Sequence, residues 1–298
     1  MKALIALLGP LVVGTLAPAR PAAAELAYAA RRDGSWRIYH QRDVAAAPQP
    51  IAGTRAGDES APALSPDGRR VAFEIPGGGI NLCPLTGRGA CQVLRPTKGS
   101  AVRPAWHPVT GALVFVDYRA DPKSEDSEIC TTTAGLAEPT TLVTQTGIQD
   151  YPDVAPDGRQ VAYTSALSVS LRRSAVQVVQ QLWLMDLHTG RARQLLLDDA
   201  RDIHPDWSPS GRQIAFASDR SGGFDIWILG IEKDDLRQLT SGPGTKSWPA
   251  WSPDGRSVMF TRFLEGRSTL WLVDADGSGL RPFEPLGPDV QLMDADWR

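Results

Sequence analysis

One apolar anchor recurs six times along this chain, at Leu64, Trp106, Val154, Trp207, Trp251 and Trp297, with successive spacings of 42, 48, 53, 44 and 46 residues. A period of that length holds several short strands and matches one blade of a propeller. The repeat therefore limits the architecture before any single motif is weighed.

Around the anchors the wording is nearly constant. Pro62-Ala-Leu-Ser-Pro-Asp-Gly68 returns with small changes at Pro104 to Gly111, Pro152 to Gly158, Pro205 to Gly211 and Pro249 to Gly255. Its centre is a turn: proline presets the first central dihedral, aspartate or serine bonds its own backbone, and glycine takes the positive φ. A strand ends there and a second begins, carrying an aliphatic residue and then an aromatic two positions on, as in Val71/Phe73, Leu113/Phe115, Val161/Tyr163, Ile214/Phe216 and Val258/Phe260. Leu26/Tyr28 supplies a sixth copy near the start of the chain. Such runs favour a pleated, buried surface. A third strand carries Tyr39, Ile129, Trp183, Trp227 or Trp271, and a fourth ends near Leu94, Val143, Leu195, Leu239 or Phe283.

The two ends complete the count. Ala295-Asp296-Trp297 reads as a first strand with nothing after it, and Leu26 opens a second strand with no first strand before it. Paired, they form one composite blade and cover two sheet edges. The expectation is an all-β fold: a six-bladed β-propeller of four-stranded antiparallel blades, closed by the N- and C-terminal strands, forming one domain over residues 25–298.

Residues 1–24 read as a secretory signal peptide, with Lys2 as the charged start, an apolar stretch from Ala3 to Val13, and Ala22-Ala23-Ala24 as a small-residue cleavage site. Gly9-Pro10 interrupts the apolar run, which is shorter than the roughly 20 residues a spanning helix needs. A soluble, periplasmic or secreted monomer that does not span a membrane is expected. The net charge of -3 becomes -5 once Lys2 and Arg20 are removed, which argues against a broad grip on nucleic acid. Cys83 and Cys91 flank the Thr86-Gly87 turn and, in an oxidising compartment, are placed either to form a disulfide or to pack as two buried thiols. Cys130 is expected to pack. Two loops depart from the template: a charged excursion from Tyr118 to Ser127, and a long stretch from Ser165 to Gln181, containing Arg172-Arg173 and Val176, Val178 and Val179, read as an extended hairpin.

The phrase Pro-x-Trp-Ser-Pro-Asp-Gly-x-x-Ile-Ala-Phe, continued by Ser-Asp-Arg and later by Asp-Gly-Ser-Gly, is clearest at Pro205 to Arg220, Pro249 to Phe260 and Leu270 to Phe283. It resembles the WD40-like (PD40) repeat of the TolB propeller family over essentially the whole predicted mature chain. That resemblance implies a periplasmic component of the cell envelope that docks a peptidoglycan-associated lipoprotein. TolB carries an α/β domain ahead of its propeller, a part for which this sequence has no counterpart. Similar repeats occur in prolyl oligopeptidases, which add a hydrolase domain, and in oligogalacturonate lyases, whose propeller carries a metal-assisted site.

Chemistry is sparse. The sequence holds no nucleophile elbow and no zinc-protease helix, and Gly77-Gly78-Gly79 lacks the Lys-Ser/Thr of a phosphate loop. Asp274-Ala275-Asp276-Gly277 lacks the remaining ligands of a calcium loop. Of the four histidines, His107 and His188 fall in turns, His40 follows Tyr39, and only His204 sits beside an anchor. One residue after each anchoring proline, or its equivalent, stand Ala63, Ala105, Asp153, Asp206, Ala250 and Asp296. The three carboxylates either share a channel cation or each bond backbone amides or a neighbouring blade's Ser, Thr or Arg. One residue before it stand Ala61, Arg103, Tyr151, His204, Trp248 and Asp294, a varied set in an otherwise monotonous repeat, read as a binding surface at the channel mouth. The reading is a non-enzymatic protein-binding platform with no cofactor beyond a possible channel cation. The competing reading is a metal-dependent lyase or hydrolase acting on a saccharide, using His204 with Asp153, Asp206 or Asp296.

Overall fold

The computed structural model describes residues 24–51, 57–86, 89–95, 99–118, 126–132, 138–143, 145, 147–171, 175–232 and 235–298. Six four-stranded antiparallel sheets stand around one axis. Blade 1 is composite, pairing Gln291–Trp297 with Leu26–Arg32, followed by Ser35–Gln41 and Gln49–Pro50. Blades 2 to 6 are continuous and begin with Ser60–Leu64, Ser100–Trp106, Ile148–Val154, Asp202–Trp207 and Thr245–Trp251. Among the described residues no helix is long and apolar enough to cross a membrane.

Closure follows the sequence pattern closely. Leu26 pairs with Trp297 and Tyr28 with Ala295, and the amide of Arg298 donates to the carbonyl of Glu25 at 2.8 Å. Leu26–Arg32 is thereby paired on both sides, and Gln291–Trp297 becomes the innermost strand of its blade, at the axis rather than on the outer rim.

The core lies between blades. Each second strand contributes one fully buried aromatic: Tyr28, Phe73, Phe115, Tyr163, Phe216 and Phe260. Each such side chain contributes roughly 1.5–3 kcal/mol of burial free energy. Tyr28 meets Phe283 of blade 6 edge to face at 6.0 Å, so the composite blade packs directly on its neighbour. Trp106 Nε1 donates to Ala63 O across the blade 2/3 seam at 2.9 Å, satisfying a buried donor.

Two local departures have clear causes. Gln160–Leu171 and Ala175–Asp186 pair over twelve residues each, from Gln160/Asp186 to Leu171/Ala175, while the first strand of blade 4 follows them only as far as Ala166. The expected hairpin is thus a two-stranded extension of that blade, and Arg172-Arg173 lies outside the described residues. Cys83 and Cys91 form a disulfide, and Cys130 is buried apart from it. Residues 1–23, the charged segment 119–125 and Gly87 also lie outside the described residues.

Candidate functional site

In every blade the first strand slips register against the second at the same place, between Ser60 and Ala63, Val102 and Ala105, Asp150 and Asp153, Ile203 and Asp206, and Ser247 and Ala250, with the matching shift in blade 1 opposite Tyr28/Ala29. Each slip is a β-bulge, and the following proline, which has no N–H to offer a ladder, suits five of the six. The bulged residues are Ala61, Arg103, Tyr151, His204, Trp248 and Asp294, with φ between 47° and 57°. None is glycine, although a left-handed conformation costs an L-residue roughly 1–2 kcal/mol. The fold holds six side chains at the cost of backbone strain, and the bulge aims them at one end of the axial channel, where they line a cavity of about 120 Å³.

Around that mouth the side chains form a continuous train. The Arg103 guanidinium lies 4.6 Å from the centroid of the Tyr151 ring. Tyr151 meets His204 edge to face at 4.0 Å, His204 stacks on Trp248 at 4.9 Å, and Trp248 meets Phe263 at 5.4 Å. His204 Nδ1 bonds the Ser247 hydroxyl. Burial, reinforced by Arg103, pushes its imidazole well below the ordinary 6.5, so the ring is neutral at pH 7.

Arg103 is already committed. Its Nη1 donates to Glu74 Oε1 at 3.1 Å, its backbone amide donates to the same oxygen at 2.7 Å, and its Nε lies 3.7 Å from Asp150 Oδ1. Tyr118 donates its hydroxyl to Asp150 Oδ2 at 2.9 Å. Burial alone would lower the guanidinium pKa, but Tyr151, Glu74, Asp150 and Asp294 more than reverse it, so Arg103 stays charged. Asp294, opposite in character, is 6 % exposed. Its Oδ2 accepts the Ala61 amide at 3.2 Å, and its Oδ1 has no hydrogen-bond partner. Burial pushes this carboxyl up to about 6, against the opposing pull of Arg103.

Below the mouth Asp153, Asp206, Asp296 and Arg298 form a waist that lines both this cavity and a second one of about 390 Å³ beside Trp207, Trp251 and Trp297. Each carboxylate accepts the anchor amide of the following blade: Trp207 N to Asp153 at 2.7 Å, Trp251 N to Asp206 at 2.7 Å, Leu64 N to Asp296 at 2.5 Å. These bonds stitch blades together at the axis. The cation the carboxylates face is the Arg298 guanidinium, with Nε 3.5 Å from Asp296 and Nη2 3.9 Å from Asp153. Burial raises Asp153 to about 6 even against Arg298, and raises Asp206 well above the ordinary carboxylate value with Asp153 adding to the effect. Among the described residues no group of three or more His, Cys, Asp or Glu is placed to hold a metal ion.

The structure thus gathers Arg103, Tyr151, His204, Trp248 and Asp294 at one mouth and Asp153, Asp206 and Asp296 at the waist. His40 stands apart, bonded to Glu25, and His107 and His188 lie in turns. Sequence reasoning passed over Arg298, Glu74, Asp150, Tyr118, Ser247 and Phe263. Arg298 carried a usable signal, because it follows the sixth anchor where the other copies have Ser65, His107, Ala155, Ser208 and Ser252. Asp150 stands where other copies have Ser60, Val102, Ile203, Ser247 and Met293.

The TolB beta propeller domain (PD40) sequence family matches residues 79–277. That is more than half of the chain, which therefore belongs to this family. Among solved structures, TolB from Acinetobacter baumannii superposes with a TM-score of 0.75 at 20 % identity, covering 92 % of this chain and 66 % of its own length. A putative TolB from Agrobacterium tumefaciens gives 0.67 at 18 % identity over 92 % of this chain and 98 % of its own. An oligogalacturonate lyase in complex with manganese gives 0.61 at 17 % identity over 86 % and 73 %. At these identities the likeness is one of fold. A curated relative, the uncharacterized peptidase YuxL of Bacillus subtilis (strain 168), is 35 % identical over 71 residues, 24 % of this chain and about a tenth of its own length.

Proposed function

We propose that this protein is an exported, non-enzymatic propeller that docks another cell-envelope protein on its channel mouth. The observation that carries the reading is the bulge ring: five large or charged side chains, and none of them glycine, held in a left-handed conformation at one end of the axis. Strain kept at one structural position in every blade favours a site over a scaffold. Tyrosine, tryptophan and arginine are the usual anchors of protein interfaces, and here they arrive already packed against one another, so little side-chain entropy is lost on docking. Export rests on the signal-like residues 1–24, and the Cys83–Cys91 disulfide suits the periplasm or the exterior. Family membership makes a peptidoglycan-associated lipoprotein the first partner to try, with the propeller acting as a monomer.

The test is isothermal titration of the purified lipoprotein into the mature chain. Binding that falls at least tenfold in both Tyr151→Ala and Trp248→Ala, with melting temperatures held, is the expected result. Binding indifferent to both substitutions, or heat released only with an acidic glycan that is consumed, overturns the reading.

A further inference from the structure

The mouth carries an excess of negative charge that its own residues leave unanswered. Among the described residues, Glu74, Asp150 and Asp294 gather around one cation, Arg103, and below them Asp153, Asp206 and Asp296 surround Arg298. Five of these carboxyl groups are engaged: Glu74 and Asp150 with Arg103, and the three waist carboxylates each with the amide of the next blade. Asp294 differs. The residue lines the cavity, one of its oxygens holds the Ala61 amide, the other is buried, and among the described residues that second oxygen has no hydrogen-bond partner and the carboxylate makes no ion pair. An unpaired buried carboxylate destabilises the fold unless a donor reaches it.

Resting on the mouth as the docking site, we propose that the partner inserts one basic side chain, a lysine or an arginine, whose cationic head is held by the Asp294 carboxylate in the cavity that Trp248 also lines. The chemistry selects a cation: a carboxylate gains most from a charged donor, and the aromatic neighbours favour a cation over an anion. An anion is disfavoured because Arg103 is already shared between two acids and Tyr151. A divalent metal needs six or more oxygen ligands, and a single uncommitted oxygen does not supply them. The cavity of about 120 Å³ admits the end of one side chain and not an element of secondary structure. Ala61 and Ala63, both small, line the same cavity.

Asp294→Asn is the discriminating variant. It keeps shape and the acceptor for the Ala61 amide, and asparagine tolerates the left-handed backbone at φ 51°. The probes are three acetylated, amidated pentapeptides, Gly-Gly-X-Gly-Gly with lysine, norleucine or glutamate at X, followed by the NMR shifts of the tryptophan indole N–H groups. The wild-type chain is expected to bind the lysine peptide at least tenfold more tightly than the norleucine peptide and not to register the glutamate peptide. Asp294→Asn is expected to abolish the preference and to weaken the lipoprotein at least tenfold. Equal binding of lysine and norleucine peptides, or a preference that survives Asp294→Asn, refutes the insertion. If Trp248→Ala weakens the lipoprotein and Asp294→Asn does not, docking at the mouth stands and the basic residue is wrong. A lysine preference lost in Asp294→Asn, in a chain that ignores the lipoprotein, retains the cation site and retires that partner.

Discussion

Replacing Asp294 by asparagine should make the empty protein more stable, and the size of the gain should depend on pH. Burial raises this carboxyl from its ordinary 3.8 to about 6. At about 1.4 kcal/mol per decade of acidity constant, keeping it ionised in the folded state costs up to about 3 kcal/mol. Between those two values the folded chain holds the proton more tightly than the unfolded chain, so stability falls as pH rises. The penalty is therefore absent below pH 4, grows between pH 4 and 6, and is constant above. Asparagine cannot ionise, so Asp294→Asn should match the wild type near pH 4 and exceed it by up to about 3 kcal/mol at pH 7.5. Urea unfolding of both proteins at half-unit pH steps measures the difference directly, with the slope against urea expected to stay unchanged. Titration of Asp153 and Asp206 is common to both chains and cancels in the comparison. A variant that is destabilised at pH 7.5, or a difference flat across the range, would refute the claim that this carboxylate sits buried without a partner.

Other consequences concern the waist, the bulge and the disulfide. Arg298→Met leaves Asp153, Asp206 and Asp296 without their cation and should cost about 3 kcal/mol at pH 7.5. The loss should shrink towards pH 4.5 as Asp153 and Asp206 take up protons, which the same urea titration reads. Ala61 adopts φ 47° with no side chain beyond Cβ, so Ala61→Val, adding a β-branch to a left-handed residue, should destabilise by at least about 1–2 kcal/mol. Ala61→Gly should leave stability within about 1 kcal/mol of wild type. Cys83→Ser with Cys91→Ser opens a loop of sequence separation 8 and should cost about 2.5 kcal/mol on the chain-entropy account, matched by adding a reductant to the wild type and absent when the same reductant is added to the variant.

Blade number, strand order and ring closure were legible because each rests on local rules that the chain repeats. The Ser-Pro-Asp-Gly turns dictate where strands end, alternation places Phe73, Phe115 and their counterparts inside, and Trp297 and Leu26 each lack what the other offers. The fourth strands of blades 4 and 5 end at Gln194 and Gln238, one residue short of Leu195 and Leu239, although the amides of both leucines still donate to the third strand, to Leu182 O at 2.9 Å and Ile226 O at 2.8 Å. The site was only half legible. Position within the repeat identified the mouth ring, but nothing announced its left-handed backbone, since glycine is the usual marker and none stands there. The partners of Arg103 come from two different blades, Glu74 from blade 2 and Asp150 from blade 4, so only the folded ring brings them within reach. In the sequence the three channel carboxylates are open between a shared cation and amide or side-chain partners from neighbouring blades; among the described residues they bond the next blade's amides and face Arg298, which stands one residue past the last anchor.

Photocrosslinking in the cell tests the central claim most directly. Benzoylphenylalanine placed at Leu264, exposed next to Phe263 at the edge of the mouth ring, should yield a single adduct with an envelope protein, and the adduct should disappear in a Trp248→Ala background. The same probe at Asp254, in a turn beside Pro253 at the opposite opening, should yield none. An adduct from Asp254 and none from Leu264 would contradict the account.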